Sequence, residues 1–155
     1  MTKNAKSSIY GRYSLSISVS LAGDGCNCFC NMGAGIAVAI KKAFPEAYQA
    51  DLKTVKGSRG KLGQISVARV TRTPVTVTVI NAYTQFDFWG PGIKADYAAI
   101  GRAMAQVKQD FSGARIGYPL LGAGLAGGTW ETIASIIENA LAGENHTLVL
   151  FQPEK

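Results

Sequence analysis

The sequence has one histidine and three cysteines, and these four residues are poorly placed to bind a metal. Cys26, Cys28 and Cys30 stand at alternate positions, and His146 lies far from them. In an extended chain the three thiols would point to opposite faces, whereas a zinc site needs four converging ligands. We therefore expect no metal. An odd number of crowded cysteines favours buried, reduced thiols over a disulfide framework, and His146 is expected at the surface.

Long hydrophobic runs are also lacking. No segment approaches the roughly 18 apolar residues of a membrane-spanning helix, and the polar start, Met1 to Ser8, has no signal-peptide character. We expect a cytoplasmic monomer with no membrane contact. A chain of 155 residues that is 47% hydrophobic and 17% charged is typical of one globular domain, here spanning residues 1–155.

The chain is basic, with a formal net charge of +6, which favours anionic partners such as nucleotides, nucleic acids or phosphate. Its basic residues form no single run, because they are divided among Lys41–Lys42, Lys53 to Lys61 and Arg69 to Arg72. A solvated basic surface explains this scatter more simply than a nucleic-acid interface does. A nucleic-acid partner is therefore disfavoured, and it would show itself by a steep salt dependence of binding.

Hydrophobic periodicity predicts strands that alternate with helices. In the segment from Leu15 to Leu21, apolar residues alternate with serines, which indicates a half-buried strand that Gly23-Asp24-Gly25 ends. The alternation of strands with helices along the chain predicts an α/β sandwich with a largely parallel sheet. The other predicted strands cover residues 7–10, 64–70, 75–80, 115–118 and 147–151, and the predicted helices cover residues 35–44, 46–53, 95–111 and 130–141.

Two glycine-rich loops are the features that point to a function. Gly33 to Ala37 and Leu121 to Gly128 each join a predicted strand to a predicted helix. Free N–H groups and the helix dipole make such a junction suitable for a phosphate, so two of them suit a diphosphate. Neither loop has the glycine spacing of a dinucleotide-binding fingerprint or the Gly-Lys-Ser/Thr of a P-loop. Close packing of helix against sheet remains the alternative explanation.

The two loops carry a resemblance to a known family. Cys26 to Ala37 resembles the first ligand loop of macrodomains, and Leu120 to Glu131 resembles the second. The intervening Pro45–Tyr48, Lys61–Gly63 and Asn81–Gln85 fit one branch in the same order, so the resemblance covers about Gly25 to Phe151. That branch contains phage and bacterial proteins and is similar to the ADP-ribose-1''-phosphate phosphatase and terminal ADP-ribose glycohydrolase types. The resemblance implies a three-layer α/β/α sandwich around a mixed, largely parallel sheet.

The resemblance also implies an ADP-ribose site without a further cofactor. Asn27 would lie beside the distal ribose, where its amide can donate and accept hydrogen bonds. Phe151, at the end of the last predicted strand, would either stack on adenine or pack in the core. The first loop would surround the distal ribose and its phosphate through Gly33, Ala34, Gly35 and Ile36, and the second would cover the diphosphate through Leu121, Gly122, Ala123, Gly124, Leu125 and Ala126.

The chain departs from the family at four positions. Arg12 stands where many members have an adenine-binding aspartate, and it would meet an extra phosphate or point to solvent. Asp24 stands where the branch has a histidine, and it would serve as a base or nucleophile or simply as a turn residue. The lysine and aspartate of the glycohydrolase type correspond to Ala82 and Ala126, so covalent lysine catalysis is disfavoured.

Two functional hypotheses remain. In the first, the protein is a hydrolase that removes the phosphoryl group of ADP-ribose 1''-phosphate, or a related group, from the distal ribose. Asn27 would position that ribose, and Asp24 or an activated water would react. In the second, the protein is a module that binds ADP-ribose or a related nucleotide without turnover, as the missing histidine, lysine and loop aspartate suggest.

Overall fold

The computed structural model describes residues 7–8 and 19–150, so Arg12 and Phe151 lie outside the described residues. None of the helices in these ranges has both the length and the apolar character needed to cross a membrane. The strands are β1 (Ser7–Ser8), β2 (Val19–Cys26), β3 (Ile65–Arg72), β4 (Val75–Tyr83), β5 (Arg115–Tyr118) and β6 (Asn145–Leu150). The helices are α1 (Ile36–Ala43), α2 (Pro45–Leu52), α3 (Tyr97–Phe111) and α4 (Trp130–Ala140).

The strands form one six-stranded sheet in the order β1-β6-β5-β2-β4-β3. All neighbouring pairs are parallel except β3 and β4, which are antiparallel. One helix pair, α1 and α2, packs on one face of the sheet, and α3 and α4 pack together on the other. The expected three-layer α/β/α sandwich with a mixed, largely parallel sheet is confirmed.

Each face of the sheet has its own apolar core. On the α1–α2 face, Phe44 and Ala47 pack against Val70 and Val79 of the sheet. The α3–α4 face is larger, because two long amphipathic helices place whole rows of aliphatic side chains against β4 and β5. Its fully buried members are Ile80, Ala82, Ile100, Ala103, Met104, Val107, Leu121, Ile133, Ile137 and Leu141.

Strand β2 ends later than its sequence pattern predicts, whereas residues 15–18 of the predicted strand lie outside the described residues. It continues through Gly23-Asp24-Gly25 to Cys26, with Gly23 opposite Asn81 and Cys26 opposite Tyr83. The glycines do not end the strand because a parallel ladder is formed by backbone groups alone. Gly25 is in fact needed there, since a Cβ at this position would collide with the side chain of Thr84.

His146 is not the surface residue that its sequence position suggests. It lies inside β6 and is partly buried, with its Nδ1 2.7 Å from the Tyr118 hydroxyl on the neighbouring strand. Burial raises the pKa of Tyr118 to about 12, so the phenol stays protonated and shares a hydrogen bond with the ring. The single histidine of the chain therefore has a structural partner between β5 and β6.

A buried ammonium fastens the loop after β2 to the rest of the molecule. Lys61 ends a short 3-10 turn, and its side chain is only 7% exposed. Its Nζ donates to the Cys28 carbonyl at 3.2 Å and to Cys30 Sγ at 3.5 Å. Asp51 Oδ1 of α2 lies 3.7 Å from the same Nζ and accepts the Tyr83 hydroxyl at 2.7 Å. One charged group thus links the loop to α2 and β4.

The cysteines belong to this arrangement. None of the three forms a disulfide and all are buried, as the sequence predicts, and Cys28 is completely inaccessible. Desolvation raises the pKa of the Cys28 thiol, which Lys61 only partly offsets, so the thiol is neutral and unreactive near neutral pH. Cys30 has a positive φ of 54°, a conformation that few side chains adopt. Its thiol contacts with Lys61 and with the Asp51 carbonyl, at 3.3 Å, hold it there.

We predict that Lys61→Met lowers the free energy of unfolding by about 3–5 kcal/mol, because it leaves the Asp51 carboxylate buried without its counter-charge. Urea denaturation followed by circular dichroism measures the change. Lys56→Met removes an exposed lysine and should leave stability within about 0.5 kcal/mol. The double variant Lys61→Met/Asp51→Leu should recover much of the loss, since Tyr83 keeps Ser66 as a partner at 2.9 Å. A single variant as stable as the wild type would contradict the role of this charge.

Candidate functional site

A cleft of about 380 Å³ lies at the carboxyl ends of the strands, which is where α/β sheets bind ligands. It runs across the ends of β6, β5, β2 and β4, the order in which these strands lie in the sheet. The loop from β2 to α1 forms one wall, and the loop from β5 to α4 forms the other. The two glycine-rich loops predicted to act together are therefore brought together.

The character of the lining changes along the cleft. At the β6 end the described lining is apolar, with Val149 and Leu150 beside Pro119 and Leu120. At the β4 end it is polar, with the side chains of Asn27, Asn31, Gln85 and Lys94, together with Phe88. Glycines and alanines of the two loops lie between these ends. The cleft thus offers an apolar site, a stretch of backbone and a site rich in side-chain amides, in that order.

The first loop presents unpaired backbone donors at the start of α1. The N–H groups of Ala34, Gly35 and Ile36 donate no hydrogen bond to any described residue. Gly35 has φ 62° and ψ −147°, a combination that is open almost only to glycine. A Cβ on Gly35 would lie 3.4 Å from Cδ1 of Leu125, so the two loops face one another closely. Gly33 is fixed beside them, because its N–H donates to Asn31 Oδ1 at 3.0 Å.

The second loop presents a further row of donors. Within the described chain, the N–H groups of Gly124, Leu125 and Ala126 have no hydrogen-bond acceptor. The loop is closed on itself by hydrogen bonds from Gly128 N–H to the Gly122 carbonyl at 2.8 Å and from Gly127 N–H to Gly124 at 3.0 Å. Successive unpaired N–H groups in a fixed turn form a concave anion site.

The inner part of the second loop is packed into the protein and does not line the cleft. Leu121 is a fully buried core residue, Gly122 is buried, and Ala123 packs against the α3–α4 core. A Cβ on Gly122 would crowd Ile133 and Ile100. Of the six residues expected to contact a diphosphate, only Gly124, Leu125 and Ala126 line the cleft. The other three support them from below.

Asn27 lies in the cleft, but most of its hydrogen-bonding groups are bonded to residues of its own loop. Its Oδ1 accepts from the N–H groups of Phe29 at 2.9 Å and Asn31 at 3.4 Å, and its Nδ2 donates to the Asn31 carbonyl at 2.9 Å. The side chain is therefore fixed, with one Nδ2 hydrogen left for a ligand. This geometry makes Asn27 a rigid single donor, whereas the sequence suggested both a donor and an acceptor.

Asp24, the other predicted catalytic residue, is located by the course of its strand. Asp24 lies in β2, where the pairing with β4 becomes irregular between Gly23 and Cys26. It is thus a strand residue, and the turn suggested by Gly-Asp-Gly does not form. Bulged strand positions of this kind are frequent next to active sites.

The sequence did not single out the cleft residues that follow β4. Ala82, expected at the position of a family lysine, is fully buried in the core and lines no cleft. The side chain that reaches the site from this strand is Gln85, three residues further on. Lys94 also lines the cleft, and its Nζ lies 2.9 Å from Asp87 Oδ1. The only available signal was that β4 is central, since the residues after a central strand lie beside the site.

The described lining contains few groups that could react. It includes no histidine and no carboxylate, and Lys94 is its one formally charged side chain. In the part of the chain that the structure describes, no cluster of three or more histidine, cysteine or acidic residues could hold a metal. The site is therefore dominated by neutral amides and backbone N–H groups.

Comparisons with known proteins agree with this architecture. The model of the Macro domain family matches residues 24–137. An uncharacterized 17.5 kDa protein from the tk-vs intergenic region of Enterobacteria phage T4 is 33% identical over 119 residues, which cover 74% of this chain and 75% of that protein.

Solved structures share the fold at low sequence identity. The macrodomain of Mycobacterium tuberculosis DarG superposes with a TM-score of 0.68 at 20% identity, covering 96% of this chain and 99% of that one. Thermosipho africanus DarTG, solved in complex with ADP-ribose, gives a TM-score of 0.70 at 16% identity, covering 99% of this chain and 43% of that one. With the family model matching more than two thirds of its length and the cleft between the two loops in place, this chain belongs to the Macro domain family.

Proposed function

We propose that the protein binds ADP-ribose or a close derivative in this cleft and hydrolyses a group from the distal ribose. The observation that carries the binding proposal is the order of the lining. The cleft has an apolar end, a central row of backbone N–H groups and an end rich in amides. This order matches the order of an adenosine, a diphosphate and a second ribose in the ligand. The ADP-ribose complex of the related DarTG supports this choice among nucleotides.

The proposed orientation follows from the same order. The adenine lies against Val149, Leu150 and Pro119, with Phe151 next in the chain as the stacking residue proposed for it. The diphosphate lies between the unpaired N–H groups of the two loops, where charge-assisted hydrogen bonds are short and strong. The distal ribose then lies beside Asn27 and Gln85, and Arg12 is left to meet an additional phosphate.

The hydrolytic step needs a base, and Asp24 is the proposed one. In ADP-ribose 1''-phosphate, a water would attack phosphorus while the bond from phosphorus to the 1''-oxygen breaks. Asp24 would accept the proton of that water and return it to the departing 1''-oxygen. Asn27 would hold the ribose through its remaining Nδ2 hydrogen. A loop N–H would stabilise charge on the transferring group.

A module that binds without turnover is the second candidate. It is favoured by the composition of the described lining, which has neither a histidine nor a carboxylate. In that case the order of apolar, backbone and amide lining serves only to bind the ligand, and Asp24 takes part in no reaction. The two candidates share the ligand and differ at this one residue.

We predict that ADP-ribose binds with one-to-one stoichiometry in calorimetric titration, and that inorganic phosphate is released from ADP-ribose 1''-phosphate. Asp24→Asn should lower the release rate by about 10²–10⁴-fold while keeping ADP-ribose binding, because only the base is removed. Binding without release in the wild type would leave the non-catalytic module. Absence of binding would refute both candidates.

We also predict that Gly35→Ala weakens ADP-ribose binding by about tenfold to a hundredfold. A side chain cannot adopt the Gly35 backbone conformation without strain, so the peptide must rotate and move one or two N–H donors away from the diphosphate. Gly143→Ala is the matched control, because Gly143 also has a positive φ, of 82°, but lies in open space after α4. Both variants should lose some stability and only the first should lose affinity, as calorimetry and thermal denaturation can show. Equal affinities for the two variants would refute the role of the first loop.

A further inference from the structure

One ammonium group stands in a cleft that is otherwise lined by neutral groups. Among the described lining residues Lys94 alone carries a formal charge, and it lines the end rich in amides together with Asn27 and Gln85. The opposite end and the centre carry no charged side chain in the described chain. Its Nζ lies 2.9 Å from Asp87 Oδ1, and the Asp87 carbonyl accepts Gln85 Nε2, so the charge is placed on the Gln85 side of the cleft, beside the proposed distal ribose.

The backbone of Lys94 is fixed to the second loop. Its N–H donates to the Ala126 carbonyl at 2.8 Å, and the N–H of Ala95 donates to the same carbonyl at 3.2 Å. The backbone N–H of Asp96 donates to the Thr84 carbonyl at 2.8 Å. Lys94 therefore starts from a rigid position between the second loop and the end of β4, and only its side chain is free to change partner.

The Lys94 side chain forms only a weak ion pair with Asp87. Asp87 Oδ1 lies 2.9 Å from Nζ, and the two side chains are 26% and 21% exposed. Ion pairs that retain contact with water contribute little net free energy, because solvation and side-chain entropy offset the attraction. The turn that carries Asp87 is held by its carbonyl, which accepts Gln85 Nε2 at 2.7 Å, and so does not depend on the carboxylate. The pair can open without disturbing the cleft.

We propose that Lys94 selects ligands that carry a phosphate on the distal ribose, by exchanging the Asp87 carboxylate for that phosphate. This inference rests on the proposed ADP-ribose site and its orientation. Unsubstituted ADP-ribose has only neutral hydroxyls at this end and gains little from the ammonium. A phosphate at C1'' carries up to two negative charges, and in a partly buried site it forms a stronger hydrogen-bonded pair with Nζ than a carboxylate already in contact with water. Asp87 opposes any anion that does not displace it.

The test compares three ligands by calorimetry at fixed ionic strength. The first is ADP-ribose, the second is its analogue with a C-linked phosphonate at C1'', which cannot be hydrolysed, and the third is ADP-ribose 2′-phosphate, which carries a similar added charge on the adenosine. We expect the wild type to prefer the phosphonate over ADP-ribose by about tenfold or more. Lys94→Gln should abolish that preference, and Asp87→Asn should increase it.

The controls separate selection from general attraction to a basic protein. Lys42→Gln removes an equal charge from an exposed position on α1 and should keep the preference. The ratio of the affinity for ADP-ribose 2′-phosphate to the affinity for ADP-ribose should be the same in Lys94→Gln and the wild type. A wild type that binds ADP-ribose but does not prefer the phosphonate, or a preference that survives Lys94→Gln, would overturn this inference and leave the ADP-ribose site standing. Failure of all three ligands to bind would instead overturn the proposed function.

Discussion

The site depends on the buried ammonium of Lys61. The segment from Cys28 to Cys30 belongs to neither β2 nor α1, and an unsupported loop of this kind would move. Lys61 donates to a carbonyl and a thiol of that segment while it faces Asp51 and lies 4.5 Å from the centre of the Tyr83 ring. Burial of a single charge is costly unless every partner is in place, so the cluster is stable in one arrangement only. This cluster therefore also fixes the start of the segment that runs from Cys30 to α1.

Most of the polarity of the cleft comes from the backbone. The unpaired N–H groups of Ala34 and Gly35 in one loop and of Gly124 and Leu125 in the other provide positive potential without any charged side chain. This explains how a protein with a net charge of +6 can have a nearly neutral described lining. The surface charge serves long-range attraction of anions, whereas recognition rests on short contacts whose geometry is fixed by the turns.

The parts of the site predicted from sequence are those encoded locally. A glycine-rich junction between strand and helix is visible in a few consecutive residues, and both loops lie where the pattern placed them. Gln85 and Lys94 were missed because their place in the cleft depends on β4 lying next to β2, a contact between distant parts of the chain. The role of Asn27 was only half visible, since its hydrogen bonds to Phe29 and Asn31 depend on the local turn. Leu121 looked like a loop residue and is core, because apolar residues in loops are often packed inward.

The same local encoding misled for β2. Serine alternation over residues 15–21 predicts a strand, and the glycines around Asp24 predict its end. In the structure the strand continues past the last residue paired with β5, Leu21, because its backbone remains paired with β4 as far as Cys26. Glycine at position 25 instead allows Thr84 of the neighbouring segment to approach. The prediction failed where tertiary pairing outweighed local propensity.

The two walls of the cleft are held in position before any ligand arrives. Leu125, although 80% exposed, reaches across to Gly35, and the carbonyl of Ala126 is bound by the backbone N–H groups of Lys94 and Ala95. Donors fixed in this way do not have to be ordered on binding, so less of the interaction free energy is lost to conformational entropy. The same rigidity favours chemistry, because dipoles already aimed at a developing charge need no rearrangement when the charge appears. A cleft of fixed N–H groups is thus equally suited to a tight binder and to a hydrolase.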